Sequence, residues 1–238
     1  MFRQSKAAVV EEFFSSPLAK NQVAVFYLGT SGFLIRTVDK TVVIDPAGFL
    51  KNDEVKALKN VAAVLFTHSH LDHFNSGKTQ TIFKATGAAI LAEPKVAEKL
   101  KGKIPVEKLF SAESGKSYDL DGVAVRAVQG IHRGPIMLYQ TKLGSISLFH
   151  AGDSGYVPLK EYQSDVALLP TGRMSLTASP ENAYKMAVDL KPQIAVAMHG
   201  SEKQKRQFEA KVKETLPFTE VLIMEPFSSK IISLQSKP

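Results

Sequence analysis

Cysteine is absent from this 238-residue chain. Without it there is no disulfide, no thiolate nucleophile and no sulfur ligand, so a metal would have to be held by His, Asp, Glu and water. Long hydrophobic runs are missing as well, and no stretch approaches the ~20 apolar residues that cross a bilayer. The opening segment up to Phe14 is too briefly apolar for a secretory leader and is interrupted by Glu11 and Glu12. Nor is there an excess of acid: 30 Lys and Arg face 23 Asp and Glu, for a formal charge of +7. These cations are scattered, and the densest run, Glu202 to Lys213, alternates with acids like a solvated helix face. Nucleic acid is therefore not favoured as a partner, and a small molecule, anionic in some part, is expected instead. Together these absences suit a cytoplasmic enzyme with no membrane partner. Oligomeric state cannot be read from them.

What the chain does have is a cluster of histidines. Half of its six histidines lie in Thr67-His-Ser-His-Leu-Asp-His73. The apolar run Val61–Phe66 leads into this segment and reads as a buried strand. Its rigid end lets the following loop turn His68, His70, Asp72 and His73 towards one region. Neutral imidazoles and a carboxylate suit divalent zinc first, with manganese and iron also admitted. One cation rarely takes four ligands from so short a segment. Two adjacent ions fit better, His68 and His70 on one and Asp72 and His73 on the other.

Around this loop the pattern alternates between β and α. Residues 1–20 carry Val9, Val10, Phe13, Phe14 and Leu18 at near-helical spacing and are expected to form a short helical extension. Strands are expected at 23–28, 32–38 and 41–45, with Gly29-Thr-Ser-Gly32 and Asp39-Lys40 as turns. A helix over 52–59 precedes the Val61 strand. A helix over 76–86 ends at Gly87, a strand covers 88–92, and a helix opening on Pro94 ends at Gly102. Further strands are expected at 123–128, 136–141, 145–150 and 166–169. Ser179-Pro180 opens a helix that stops before Pro192. The strand 194–198, a long polar helix, and strands at 221–224 and 230–234 complete the chain. Two mixed sheets with helices outside them would satisfy this order, in one domain over residues 1–238.

Three more candidate ligands occupy equivalent places, each just beyond a strand and beside glycine. They are His132 in Gln129-Gly-Ile-His-Arg-Gly-Pro135, Asp153 in His150-Ala-Gly-Asp-Ser-Gly155, and His199 in Ala197-Met-His-Gly200. His150, three residues before Asp153, should face away by strand alternation and support the site rather than ligate. Asp45 also ends a strand, where a carboxylate can orient an imidazole through its non-ligating nitrogen. Arg133 and Arg173 are candidates for gripping an anionic group of a substrate.

The order His-x-His-x-Asp-His, then His132, Asp153 and His199, resembles the metallo-β-lactamase-fold hydrolases. Leu28-Gly-Thr-Ser-Gly-Phe-Leu-Ile35, Val43-Ile-Asp-Pro46, His150-Ala-Gly-Asp-Ser-Gly155 and Leu168-Leu-Pro-Thr-Gly172 are most similar to the compact branch that includes ascorbate-6-phosphate lactonase. The chain departs from that branch at Thr30, often a histidine there, and at Arg173-Met-Ser-Leu-Thr177, where an Asp-His pair is common.

The resemblance implies an α+β fold, a four-layer αββα sandwich with a dinuclear site. By position it gives His68, His70 and His132 to the first metal, Asp72, His73 and His199 to the second, and Asp153 to both. The chemistry expected is hydrolysis, in which two cations generate hydroxide from water at neutral pH. Asp72 is the catalytic candidate, holding the nucleophile and relaying its proton. An ester, lactone or phosphorylated small molecule is the expected substrate. The alternative is a nuclease, which the charge favours but for which no basic arm or cluster of base-stacking aromatics is present.

Overall fold

The last strand of the chain returns to the beginning of the fold. In this computed structural model, which describes residues 5–172 and 175–235, the chain divides into two compact units. The first runs to Ser111 and also takes Leu120–Gly122 and Glu225–Ser233; the second holds Ala112–Asp119, Val123–Met224 and the residues from Leu234 on.

The first unit begins with helix α1 (Lys6–Ser15), capped by the Ser5 hydroxyl, which accepts from the Ala8 N–H. There follow β1 (Gln22–Gly29), β2 (Gly32–Arg36), β3 (Thr41–Ile44), α2 (Asn52–Lys56), β4 (Val61–Phe66), α3 (Ser76–Thr86), β5 (Ala89–Ala92), α4 (Pro94–Leu100) and β6 (Leu109–Ser111). β1 to β3 form an antiparallel meander, whereas β3 to β6 run parallel. All six residues of β4 are buried, as expected of a strand covered on both faces, and this is why its sequence is uniformly apolar rather than alternating. Asn75 caps α3 by accepting from the Lys78 N–H, and Gly87 ends it in a left-handed conformation at φ 63°.

The second unit carries β7 (Ser117–Leu120), β8 (Val123–Gln129), β9 (Met137–Leu143), β10 (Ile146–His150), β11 (Val166–Pro170), α5 (Pro180–Leu190), β12 (Ile194–Met198), α6 (Glu202–Thr215) and β13 (Glu220–Ile223). Its sheet is also mixed: β8 to β10 are antiparallel, and β10 to β13 are parallel. Every residue of β10, β11 and β12 is buried. The remaining strand, β14 (Ser228–Ser233), pairs antiparallel with β1 in the first sheet, Tyr27 opposite Ser228 and Gln22 opposite Ser233. Each sheet has seven strands, in the orders β14-β1-β2-β3-β4-β5-β6 and β13-β12-β11-β10-β9-β8-β7. Two mixed sheets with helices are the parts that the αββα reading calls for.

Parallel pairing brings the carboxyl ends of neighbouring strands to the same edge. In the first unit Ile44 lies opposite Leu65, so Asp45 and the loop after Phe66 emerge side by side. In the second, His150 lies opposite Leu168 and Pro170 opposite Met198, so β10, β11 and β12 also release their loops together.

The helix expected over 52–59 stops at Lys56, since the Thr41 hydroxyl takes the Lys59 carbonyl and Asn60 turns to φ 52°. The strand expected over 32–38 ends at Arg36. β6 and β7 were not expected; each has only three or four residues, too few to show a period, and their place in the sheets comes from pairing with neighbouring strands. Among the described residues, no helix is long and apolar enough to cross a membrane.

Helix α1 docks through Val10, Phe13 and Phe14. Phe13 meets Phe14 and Phe26 edge-on, with ring centroids 5.0 and 5.3 Å away. The Arg36 guanidinium donates to the Phe13 and Ser16 carbonyls at 2.8 and 2.6 Å and so holds the end of the helix. Phe13→Ala should lower stability by about 3–5 kcal/mol, measured as a shift in the urea unfolding midpoint.

Candidate functional site

Asp45 ends β3 fully buried, with a left-handed backbone at φ 44° that a non-glycine residue rarely adopts. Its Oδ1 accepts the Thr67 N–H at 2.8 Å, and its Oδ2 accepts the Thr67 hydroxyl at 2.5 Å and lies 2.8 Å from His73 Nδ1. Since a carboxylate can only accept, that nitrogen carries the hydrogen and Nε2 keeps the lone pair a metal would use. Gly32 makes room for this strand end, because a Cβ there would lie 2.9 Å from the Asp45 carbonyl oxygen.

The loop beyond Phe66 is wound tightly, with the His73 and Phe74 N–H groups both donating to the His70 carbonyl at 3.1 and 2.9 Å. The Ala47 N–H donates to the His73 carbonyl at 3.0 Å, which fixes the far end of the loop. The ring centroid of His68 lies 4.5 Å from that of His70 and 3.9 Å from that of His73. His73 Nε2 is 3.6 Å from Asp72 Oδ2. His68 and His73 are buried, Asp72 is partly exposed and His70 is exposed. The first unit thus gathers all four residues of the motif, together with Asp45.

The second unit gathers its own set. Asp153 Oδ1 lies 2.8 Å from His199 Nε2, and both residues are buried. His199 has φ 47°, a second left-handed non-glycine residue at a strand end, and its carbonyl accepts the Thr171 hydroxyl at 2.8 Å. Gly200 is needed beside it, since a Cβ there would collide with that same hydroxyl. His132, partly exposed, follows Ile131, whose N–H donates to Ser154 Oγ at 2.8 Å and whose carbonyl accepts the Gly155 N–H at 2.8 Å. The His132 loop is therefore tied to the Asp153 turn. His150 is fully buried, and its Nδ1 accepts the Gly152 N–H at 3.0 Å, so it shapes the turn that carries Asp153. Arg133 is exposed next to His132, and Arg173 lies outside the described residues.

The donor set fits divalent metal on geometry as well as chemistry. Two donors on one tetrahedral ion with bonds of about 2.0–2.1 Å stand roughly 3.3 Å apart. The Asp153–His199 and Asp72–His73 separations of 2.8 and 3.6 Å lie on either side of that distance.

Comparison with known proteins agrees. The family model described as the β-lactamase superfamily domain matches residues 24–199, which takes in every candidate ligand. The chain belongs to that superfamily. A UPF0173 metal-dependent hydrolase of Staphylococcus aureus is 25% identical over 228 residues, covering 84% of this chain and 96% of that relative. Among solved structures, the metallo hydrolase Igni18 of the hyperthermophilic archaeon Ignicoccus hospitalis superposes with a TM-score of 0.74 at 23% identity, over 90% of this chain and 100% of that one. CmlA, a diiron β-hydroxylase of Streptomyces venezuelae, has a TM-score of 0.69 at 14% identity, over 92% of this chain and 55% of that one. The fold is the α+β metallo-β-lactamase sandwich, and at that level this superfamily member is a metal-dependent hydrolase.

Sequence reading did not single out Thr67, which links Asp45 to the loop. Its hydroxyl lies 3.1 Å from His68 Nδ1 and 3.4 Å from His73 Nδ1. Position before a histidine carries no signal for such a role; the contact exists only because β3 and β4 pair in parallel. Asp45→Ala would leave the Thr67 N–H and His73 Nδ1–H buried without their carboxylate. It should cost about 3 kcal/mol or more in urea unfolding and weaken divalent-metal binding about 10- to 100-fold in a competition titration.

Proposed function

We propose that the chain binds two divalent cations, zinc first, and hydrolyses an ester, lactone or phosphorylated small molecule. The ligands proposed are those expected from the sequence: His68, His70, Asp72, His73, His132, Asp153 and His199. The observation that carries the reading is that each unit presents an imidazole–carboxylate pair at the carboxyl ends of its parallel strands, at 3.6 Å for His73 with Asp72 and 2.8 Å for His199 with Asp153. With no cysteine in the chain, nitrogen and oxygen donors admit manganese and iron beside zinc.

Divalent cations in such a site polarise a carbonyl or phosphoryl oxygen and lower the pKa of water. The residues of the chain do the rest. Asp45 holds His73 in one tautomer and one orientation. Asp72 keeps 31% of its side-chain surface exposed, so its carboxylate can take a proton from the attacking water and pass it to the leaving group or solvent. Arg133, exposed beside His132, can meet an anionic part of the substrate.

A small-molecule substrate is favoured over nucleic acid by the disposition of charge on α6. There Arg206 pairs with Glu202 and Glu209, Lys213 with Glu209, and Lys211 with Glu181. Such mutually satisfied surface pairs do not form a track for phosphates.

Elemental analysis of purified protein, joined to a panel of esters, lactones, phosphate esters and oligonucleotides, tests the reading. Turnover of a small substrate should disappear on chelation and return with added zinc, manganese or iron. Asp153→Ala should lose both metal and turnover, and full activity in that variant would overturn the ligand assignment. Cleavage confined to oligonucleotides, with steeply salt-dependent binding, would replace the small-molecule substrate with a nuclease's.

A further inference from the structure

Thr30 in the first unit, and Ser175 and Thr177 in the second, each reach the main chain of an expected metal ligand. The Thr30 hydroxyl donates to the Asp72 carbonyl at 3.1 Å. The Ser175 and Thr177 hydroxyls donate to the Asp153 carbonyl at 2.6 and 2.9 Å. We propose that Thr30, Ser175 and Thr177 are positioning residues, which aim the carboxylates of Asp72 and Asp153 by fixing the carbonyls of those same residues. This rests on the proposed metal binding.

The physical reason lies in how an aspartate is aimed. Two torsions separate its carboxylate from its Cα, so the direction of the oxygens follows the peptide planes on either side. Asp72 and Asp153 both sit in loops, where no ladder of strand hydrogen bonds holds those planes. A hydroxyl bonded to the carbonyl supplies that constraint from outside the loop. Ligand geometry tolerates only about 0.5 Å of error, so a small rocking of the peptide is enough to matter.

Each strut is itself anchored, as a positioning device must be. Thr30 sits at φ 48°, and its own carbonyl accepts the Tyr27 hydroxyl at 3.0 Å. Tyr27 is buried against Phe33, with ring centroids 4.9 Å apart. Burial first, and the nearby Glu225 carboxylate second, push its pKa up to about 12, so it remains a neutral donor. In the second unit the Thr177 carbonyl accepts Asn182 Nδ2 at 2.8 Å, which ties the loop to α5. Buried Ser175 also accepts the Ala178 N–H at 3.3 Å. Its hydroxyl and that of Thr177 occupy both acceptor directions of the one Asp153 carbonyl. Simple loop closure would need bonds to any convenient carbonyl. Here three hydroxyls, 42, 22 and 24 residues away in sequence, meet the carbonyls of the two acids expected at the metals.

The test uses the full chain with Thr30→Val, Ser175→Ala and Thr177→Val, and with the hydroxyl-retaining Thr30→Ser, Ser175→Thr and Thr177→Ser. Zinc affinity is read by competition with a chromophoric chelator, and stability by melting of the metal-free protein. The hydroxyl-free variants should bind zinc about 10- to 100-fold more weakly, while the hydroxyl-retaining ones bind as the parent does. Melting should move by no more than the ~2–4 °C that about 1 kcal/mol produces in a chain of this size. Thr177, partly exposed, serves where a change at buried Ser175 prevents folding. Unchanged affinity in the hydroxyl-free variants overturns the proposal, as does equal weakening in the hydroxyl-retaining ones or a loss of affinity that only follows lost stability. A parent chain that takes up no zinc, manganese or iron instead ends the proposed metal binding itself, and the positioning role with it.

Discussion

A buried carboxylate is tolerable only where donors surround it, and the first unit is organised around that requirement. Asp45 is fully buried at the end of β3, and the Thr67 N–H, the Thr67 hydroxyl and His73 Nδ1 all meet its two oxygens. To reach them the backbone turns left-handed at Asp45 and again at Ala47, and Gly32 gives up its side chain so that the strand end can approach. The Ala47 N–H then holds the His73 carbonyl. The direction of the histidine loop, the tautomer of His73 and the strain beside β3 all follow from keeping one carboxylate satisfied.

The second unit reaches a similar end by different means. Here the left-handed residue is His199 itself, and its neighbour Asp153 is held through its backbone rather than through an acid behind it. His150 contributes as an acceptor for the Gly152 N–H, a support for the turn rather than for a ring. In each unit a left-handed non-glycine residue, strained by about 1–3 kcal/mol, follows the carboxyl end of a parallel strand: Asp45 after β3 and His199 after β12. Wholly buried strands such as β4 and β12 hold those ends rigid enough to sustain that strain.

Several elements could be read directly because their causes are local. The apolar run of β4, the Gly87 limit of α3, and Ser179 with Pro180 at the start of α5 each depend on a few adjacent residues. Other features escaped because their causes are not local. β6 and β7 owe their existence to sheet partners, and β14 pairs with β1, whose residues lie about 200 positions earlier. The candidate ligands could be named from residue type alone, since histidine and acid beside glycine at a strand exit is a chemical pattern. The hydroxyls that bond to the carbonyls of Asp72 and Asp153 could not, because serine and threonine are common in every loop.

By itself, then, the sequence determined the donor chemistry and the class of fold. Nitrogen and oxygen ligands without sulfur, a run of three histidines and an aspartate behind an apolar strand, and an alternation of β and α segments are all written in residue type and spacing. Only the tertiary structure decided which groups those residues meet. The contacts of Asp45 with His73, Thr30 with Asp72, and Ser175 and Thr177 with Asp153 join residues far apart along the chain. A hydrogen bond acts over about 3 Å, and what comes within that reach is set by strand pairing and loop closure rather than by spacing in the sequence.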